Sequence, residues 1–236
     1  MPIKYGSKVV NDVFYGNKRV LQIYQGSKLV YNAKIGLPKE YVELEYIEST
    51  GTQYIDLGIN KIREMECNLV AQLTDTNISG FPTFIGAMKS EKAYKVLLGI
   101  NSSLKPYSQL GDGSGFIIHN SITGDLNKHI YEITTSGNST SSLTIDGNTI
   151  NGNYALTTDS DTDISLYLFA RHKQDGTVYQ FIKMRCYELT IKYANKIARK
   201  LVPAMRISDG TIGMYDLHKR EFLTNAGTGT FTSNAS

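Results

Sequence analysis

The chain has 236 residues, 41% of them hydrophobic and 20% charged, which is typical of a globular protein and excludes a disordered one. Its 21 Gly, 16 Tyr, 5 Pro and lack of Trp favour short strands joined by tight turns. No apolar run reaches the length of a membrane span, and the first residues lack the apolar segment of a signal peptide. We therefore expect neither membrane insertion nor export through a signal peptide.

The net charge of +3 is unevenly distributed along the chain. Residues 1–39 hold seven Lys or Arg and one acid, a charge of +6, which leaves −3 for the remainder. Such a basic segment is compatible with binding to an anionic surface. Lysines also occupy hairpin turns and exposed strand edges, however, where they prevent edge-to-edge aggregation. We favour the second interpretation and expect no nucleic-acid partner.

The first part of the chain contains a repeat of ten residues: YGSKVVNDVF, YGNKRVLQIY and QGSKLVYNAK. Three columns recur at this period, namely Gly6, Gly16 and Gly26; Lys8, Lys18 and Lys28; and Val10, Val20 and Val30. Gly-Ser and Gly-Asn are hairpin-turn dipeptides, because Gly adopts positive φ without strain. We predict a β-meander of hairpin repeats over residues 1–34, which anchors or oligomerises the protein. Four short strands are expected, at Val9–Val10, Val13–Tyr15, Val20–Tyr24 and Leu29–Tyr31.

The second part of the chain, residues 40–236, follows a linker at 32–39 and consists of short strand-like runs separated by turns. Asp146-Gly147 is a two-residue hairpin signal, and residues 187–193 alternate between apolar and polar, as a strand with one buried face does. Many short strands at this spacing predict a sandwich or a barrel. Residues 194–202 are compatible with a strand or with a short helix.

Two signatures in this second part resemble a known family. The first is LPKEYVELEYIESTGTQYID at residues 37–56, and the second comprises LFAR at 168–171, Pro203, DG at 209–210, GMYD at 213–216 and FLTNAGTGTF at 222–231. They resemble the opening and closing strands of concanavalin A-like (laminin-G-type) jelly-roll domains in phages and prophages of Gram-positive or gut bacteria. The resemblance implies an all-β fold: the N-terminal β-meander, followed by a concanavalin A-like jelly-roll sandwich over 40–236.

The same resemblance implies a function in the virion and carries over no catalytic residue. The decameric repeats resemble those near the ends of tail or fibre proteins of Gram-positive phages. We expect a virion structural protein of the tail, baseplate or head, assembled in the host cytoplasm, that displays a lectin-like sandwich toward host glycans. Expected partners are other virion proteins, bound through residues 1–34, a host cell-surface glycan, and further copies of the chain, trimers being common among phage fibres. A structural virion protein without a ligand is one alternative, and a bacterial adhesin is disfavoured by the missing signal peptide.

One pair of acids has the spacing of a glycosidase site. Glu43 and Glu45 share a face if they lie in one strand, and retaining hydrolysis uses two carboxyls about 5–5.5 Å apart. Glycosidases of the jelly-roll fold, however, have Asp at the central position and carry their acids in mid-sheet, whereas this pair lies in the first strand of the domain. We therefore predict a protein that is not an enzyme, and keep a glycan-degrading enzyme of the same fold as an alternative.

No metal or cofactor site is predicted with a complete set of ligands. Three carboxylates are spaced like the start of a calcium loop: Asp159, Asp161 and Asp163. Ile164 stands where an EF-hand needs Gly and Ala170 where it needs Glu, so only a calcium site of another kind, as in laminin-G-type domains, is left open. Cys67 and Cys186 are expected to be reduced, half-buried thiols, although the sequence leaves their pairing open.

The predicted carbohydrate site lies in the segment from residue 166 to residue 172. Because alternate residues of a strand point to opposite faces, Leu166, Leu168 and Ala170 would fill the core. Four residues would then line an outer face: Tyr167, Phe169, Arg171 and His172. Aromatic rings beside polar groups are the usual elements of a sugar site. The alternative is that these rings cover apolar surface or pack against a neighbouring subunit.

Overall fold

A computed structural model describes residues 36–233, apart from 62, 91–93, 113–114, 137–138 and 156–163, together with six short strands between residues 4 and 32. The chain divides into two compact units, Met1–Glu40 and Tyr41–Ser236, and each is described by itself. The part of the chain that the structure describes contains no helix that could cross a membrane. The functional roles predicted for the two regions stay predictions.

The first unit contains three β-hairpins. Its strands are β1 (Lys4–Tyr5), β2 (Lys8–Val9), β3 (Phe14–Tyr15), β4 (Lys18–Arg19), β5 (Gln22–Gln25) and β6 (Lys28–Asn32). They pair two by two around the Gly dipeptides of the repeat, with Lys8, Lys18 and Lys28 each opposite the residue before the turn. The six described strands differ in number from the predicted four, because they pair as three separate hairpins. The repeat module and its role stay predictions.

The second unit is built from eighteen described strands and no described helix, which confirms the all-β prediction. The first nine are β7 (Tyr41–Glu43), β8 (Ile47–Thr50), β9 (Ile55–Asp56), β10 (Met65–Leu73), β11 (Thr83–Met88), β12 (Lys95–Ile100), β13 (Pro106–Gly111), β14 (Gly115–Ile118) and β15 (Lys128–Ser136). The others are β16 (Thr140–Ile145), β17 (Asn148–Asn153), β18 (Tyr167–Leu168), β19 (Arg171–Lys173), β20 (Val178–Tyr179), β21 (Lys183–Tyr193), β22 (Lys196–Arg206), β23 (Ile212–Asp216) and β24 (Glu221–Thr224). Residues 194–202 are therefore a turn and a strand, and a short helix there is excluded.

The strands form two sheets that pack into a sandwich. One sheet has the order β17-β16-β15-β10-β21-β22-β23-β24, with β8 beside β21 and β7 beside β22. The other has the order β14-β13-β12-β11-β18-β9, with β19 beside β11 and β20 beside β19. Both sheets contribute to one hydrophobic cluster, and a ring contact of 4.9 Å between Phe84 and Tyr131 joins them across the core. The predicted β-sandwich is thus confirmed.

Burial differs between the two sheets. In the ten-stranded sheet, β10 alternates strictly between buried and half-buried residues, as expected for a strand with one face on the core and one toward solvent. In the eight-stranded sheet, every residue of β11 and β12 is buried. A strand buried on both faces needs a cover on its outer side. Part of that cover is the segment before β11, because a Cβ on Gly99 would lie 2.2 Å from the carbonyl oxygen of Pro82.

Two smaller predictions are settled by the described strands. Asp146 and Gly147 both have positive φ, +48° and +82°, and join β16 to β17 as the predicted two-residue hairpin. Cys67 and Cys186 are free, as expected, but they are fully rather than half buried, because both point into the core from the neighbouring strands β10 and β21. Burial raises the pKa of Cys67 to about 12 and also raises the pKa of Cys186, so both are inert core thiols.

Candidate functional site

The candidate site begins where the chain reverses between β18 and β19. β18 runs antiparallel to β11 and β19 runs parallel to it, so the chain turns back at Phe169 and Ala170. Phe169 adopts a φ of +74°, an uncommon conformation for a bulky residue. The reversal places Arg171 opposite Gly86 of β11, on the outer face of the eight-stranded sheet.

The reversal contradicts the predicted alternation through the site. Leu166, Leu168 and Ala170 are buried as expected, but Phe169 is also 0% exposed and its ring lies 5.2 Å from that of Phe231 in the core. The prediction that Phe169 lines an outer face is wrong, because the strand is interrupted at this residue. Arg171 does lie on the outer face, but it is 9% exposed and lies beneath other side chains.

Arg171 is held by neutral groups. Its Nη2 donates to the Tyr107 hydroxyl at 3.0 Å and to the Phe81 carbonyl at 3.3 Å, and its Nε donates to Thr83 Oγ1 at 3.3 Å. The guanidinium lies 5.3 Å from the centre of the Tyr179 ring, a cation–π contact. Nη1 reaches only the sulfur of Met88, at 4.0 Å. Within the described residues, Arg171 has no carboxylate partner.

Two exposed aromatic rings pack against Tyr107, a partner of this arginine. Phe81 and Phe116 are 43% and 42% exposed, and their rings lie 5.5 and 5.7 Å from the ring of Tyr107. Burial raises the pKa of Tyr107, although the nearby Arg171 charge partly opposes the rise, so this hydroxyl stays neutral. Two exposed phenyl rings therefore lie beside a buried tyrosine that contacts the guanidinium.

Two lysines extend the positive charge along the same face. Lys95 of β12 and Lys173 of β19 both pair with Met88 of β11, so the three side chains lie side by side on one face. Lys173 is two residues from Arg171, and its Nζ lies 5.7 Å from the Tyr179 ring. Three neighbouring strands thus contribute a row of side chains that includes three cations.

The remaining predicted residues form a separate aromatic stack. The ring of Tyr167 lies 4.1 Å from that of His172 and 4.7 Å from that of Tyr54, with interplanar angles of 7° and 12°. Both faces of Tyr167 are therefore covered, and Tyr167 has no free ring face for a sugar. Burial, with the nearby Asp56 charge, raises its pKa to about 12. Tyr167 and His172 thus do not form one surface with Arg171, and their binding role stays a prediction.

A cleft of about 430 Å³ lies beside the buried arginine. It is formed by the segments 75–82 and 179–183, and Tyr179 belongs both to the cleft and to the surroundings of Arg171. Gln180 has a φ of +53°, and its Oε1 accepts the backbone N–H of Phe81 at 3.3 Å. These contacts position the Phe81 segment over the sheet.

Sequence reasoning found Arg171 and missed the residues around it. Phe81, Tyr107, Phe116 and Tyr179 come from four separate segments, which only the strand register brings together. One signal in the sequence was usable: Phe116, Ile117 and Ile118 of β14 are consecutive apolar residues, so the strand places apolar side chains on both faces of the sheet. Such a strand indicates that the outer face is either covered by other residues or used for binding, and the sequence does not distinguish these two possibilities.

The predicted acid pair and metal segment do not meet in a described site. Glu43 ends β7, whereas Glu45 lies in the bend between β7 and β8, so the two acids do not share one continuous strand. The segment Asp159–Asp163 lies outside the described residues. Among the described residues there is no group of three or more His, Cys, Asp or Glu that could hold a metal ion.

Comparisons with known proteins found solved structures that are similar to this chain at low sequence identity. No family model and no curated protein matches the sequence. The CBM40 of the Ruminococcus gnavus IT-sialidase has a TM-score of 0.48 at 15% identity, over 69% of this chain and 94% of that one. Domains LG4-5 of the mouse laminin α1 chain have a TM-score of 0.45 at 13% identity, over 77% of this chain and 48% of that one.

A phage protein is among the other similar structures. Full-length tailspike protein 2 from Escherichia coli O157:H7 bacteriophage CAB120 has a TM-score of 0.40 at 13% identity, over 75% of this chain and 31% of that one. All three likenesses lie below a TM-score of 0.5. The fold and the candidate site therefore rest on the strands and side chains of this chain itself.

Proposed function

We propose that the sandwich is a lectin-like module that binds a glycan on the outer face of its eight-stranded sheet and does not degrade it. The observation that carries this proposal is the pair of exposed Phe81 and Phe116 rings against Tyr107, whose hydroxyl accepts a hydrogen bond from the buried Arg171. Sugar rings pack their C–H faces on aromatic side chains, and a few fixed polar groups orient them. This face supplies both kinds of group.

We further propose that the whole chain is a structural protein of a phage virion. The support is the resemblance of residues 37–231 and of the decameric repeats to phage proteins. In this proposal the hairpin unit binds other virion proteins or further copies of the chain, and the sandwich faces the host. Weak glycan contacts become useful in such an arrangement, because linked sites raise the effective concentration at the surface.

Binding of the full chain to a glycan array and to host cells tests the proposal. The variant Phe81→Ser with Phe116→Ser should lose binding, since it removes both exposed rings. Ile207→Ser is the matched control, because Ile207 is also an exposed apolar residue, at 56%, but lies in the turn between β22 and β23. Equal binding by the double variant and the control would remove this face from the proposal. Absence of any affinity for host envelope or glycans would leave a purely structural virion role.

A further inference from the structure

We infer that the glycan carries a carboxylate, and that this group pairs with the guanidinium of Arg171. The inference rests on the proposed glycan-binding function and adds the chemical class of the ligand: a uronic acid or another carboxylate-bearing sugar. Three features of the described residues support it, namely the missing counter-ion of Arg171, the partners that do not need the arginine, and the geometry of the guanidinium and its neighbours.

The missing counter-ion is the first feature. Arg171 is 9% exposed, and buried charges in proteins are normally paired with an opposite charge. The other buried arginine among the described residues, Arg199, pairs with Asp216 at 2.9 Å and also with Glu221. In the described part of the chain Arg171 contacts only neutral acceptors and a sulfur. The contact with Tyr179 offsets part of the charge but supplies no anion.

The second feature is that the partners of Arg171 are satisfied without it. The Tyr107 hydroxyl donates to the Phe81 carbonyl at 3.0 Å, and Thr83 Oγ1 donates to the same carbonyl at 3.3 Å. Thr83 Oγ1 also lies 3.4 Å from the Tyr107 oxygen. Removing the arginine would leave none of these three groups without a hydrogen bond. The guanidinium is therefore not needed to satisfy buried polar atoms.

The third feature is the geometry of the guanidinium and of its neighbours. Nη1 has two N–H donors and no oxygen acceptor among the described residues. Arginine favours carboxylates because its planar donors match the two carboxylate oxygens. Lys95 and Lys173 add positive charge to the same face, and the exposed Phe81 and Phe116 rings add an apolar surface for a sugar ring. An acidic sugar fits this combination better than a neutral sugar or a bare anion.

Lys95 and Lys173 have acids near them, and these define the edges of the positive face. Asp175, in the turn after β19, has a lowered pKa, mainly from its hydrogen bonds with Thr177 and to a smaller extent from the charge of Lys173. Asp112 follows Gly111, the residue opposite Lys95. Neither acid contacts Arg171, so the pairing site for the carboxylate is at the arginine.

Binding of the full chain to matched pairs of probes tests this inference. Sodium glucuronate and glucose differ only at C6, and hyaluronan and its carboxyl-reduced form differ in the same way. Dextran sulfate supplies anionic charge without carboxylate. The readouts are the shift of the Arg171 Nε–H resonance on titration with the monosaccharides and the Kd for the immobilised polymers. Arg171→Met tests the guanidinium, and Arg171→Lys keeps the charge without the planar donors.

Arg185→Met is the matched control variant, because Arg185 is a partly exposed arginine already paired with Glu48 at 2.7 Å on the other sheet. We expect wild type and Arg185→Met to bind hyaluronan equally, and Arg171→Met to bind at least about tenfold more weakly, as loss of a charge-assisted hydrogen bond implies. The carboxyl-reduced polymer should show a similar loss. Thermal melts verify that each variant is folded.

Three results would overturn the inference. Equal binding of hyaluronan and its carboxyl-reduced form, with loss only in the Phe81 and Phe116 variant, would leave the proposed glycan site intact and remove the carboxylate. Binding to dextran sulfate as tight as to hyaluronan would indicate unspecific attraction of anions. The absence of hyaluronan binding and of a resonance shift with glucuronate would also exclude a carboxylate-bearing ligand. If the glycan array and the host cells showed no binding either, the proposed glycan-binding function would fail together with the inference.

Discussion

The Nδ1 atom of His129 lies 2.5 Å from Oδ2 of Asp146, while Nε2 of the same ring lies 2.9 Å from Oδ1 of Asp125. The imidazole thus connects the start of β15 to the turn between β16 and β17 and to the loop before β15. Burial lowers the pKa of His129, but the hydrogen bonds and charges of the two carboxylates outweigh it, so the pKa is raised.

This arrangement predicts a stability that depends on pH. Because the folded pKa of His129 is raised, its contribution is complete below the unfolded value of about 6.5 and is lost as pH rises through the folded value. Hydrogen bonds lower the pKa of Asp125 and, against the effect of burial, that of Asp146, so their contribution disappears in acid. His129→Gln should therefore lower the Tm most between about pH 4.5 and 6.5.

The expected loss is about 0.5–1 kcal/mol, because both carboxylates are partly exposed and screened, and it should shrink in high salt. Thermal melts of wild type and His129→Gln at pH 5.5 and 8.5 measure it, with His218→Gln as the control. A Tm difference that is the same at both pH values would contradict a charged imidazole.

Cys67 and Cys186 should be unreactive until the protein unfolds. With a pKa of about 12, the thiolate fraction of Cys67 at pH 8 is about 10⁻⁴, and both side chains are buried. We expect no rapid labelling of the native protein by a thiol reagent such as DTNB, and two labelled thiols per chain in denaturant. Fast labelling of the native protein, or fewer than two thiols after unfolding without reductant, would contradict the two free core thiols.

The fold could be predicted from the sequence because its signals are local. Asp146-Gly147 defines a turn from two neighbouring residues, and β16 and β17 pair around it. The resemblance of residues 37–231 supplied the sandwich, which alternation alone did not distinguish from a barrel. Local turn chemistry and a long signature are thus sufficient for the architecture.

The faces of individual residues could not be predicted where one residue interrupts the strand. Tyr187 was assigned to the buried face, but it is the extra residue of a bulge, since Cys186 pairs with Ala71 and Glu188 with Val70. Phe169 was assigned to the outer face, but its positive φ reverses the chain. A single irregular residue reverses the alternation that follows it, and no signal in the sequence marks these two positions.

Gly99→Ala should destabilise the protein and disturb the candidate site. An added Cβ would lie 2.2 Å from the Pro82 carbonyl oxygen and 2.9 Å from the Tyr107 hydroxyl, both of which belong to the cover around Arg171. Overpacking of this kind costs about 1–3 kcal/mol. Gly152→Ala is the control, because its added Cβ meets only side-chain atoms, Cδ1 and Cγ1 of Ile117 at 2.6 Å, and no backbone atom. Urea unfolding of both variants measures the difference, and equal losses would contradict a rigid cover.

Tyr107→Phe and Arg171→Met should affect stability in opposite ways. Loss of the hydroxyl removes a neutral acceptor from Arg171 and leaves the buried charge less compensated, at a cost of about 1–2 kcal/mol. Loss of the guanidinium removes an unpaired buried charge and leaves its partners bonded to one another, so the free energy of unfolding should stay within about 1 kcal/mol of wild type or rise. In the Arg171→Met background, Tyr107→Phe should cost less than alone. Urea unfolding of the two single variants and the double variant measures this coupling, and a loss of about 3 kcal/mol or more for Arg171→Met would make the arginine a structural residue.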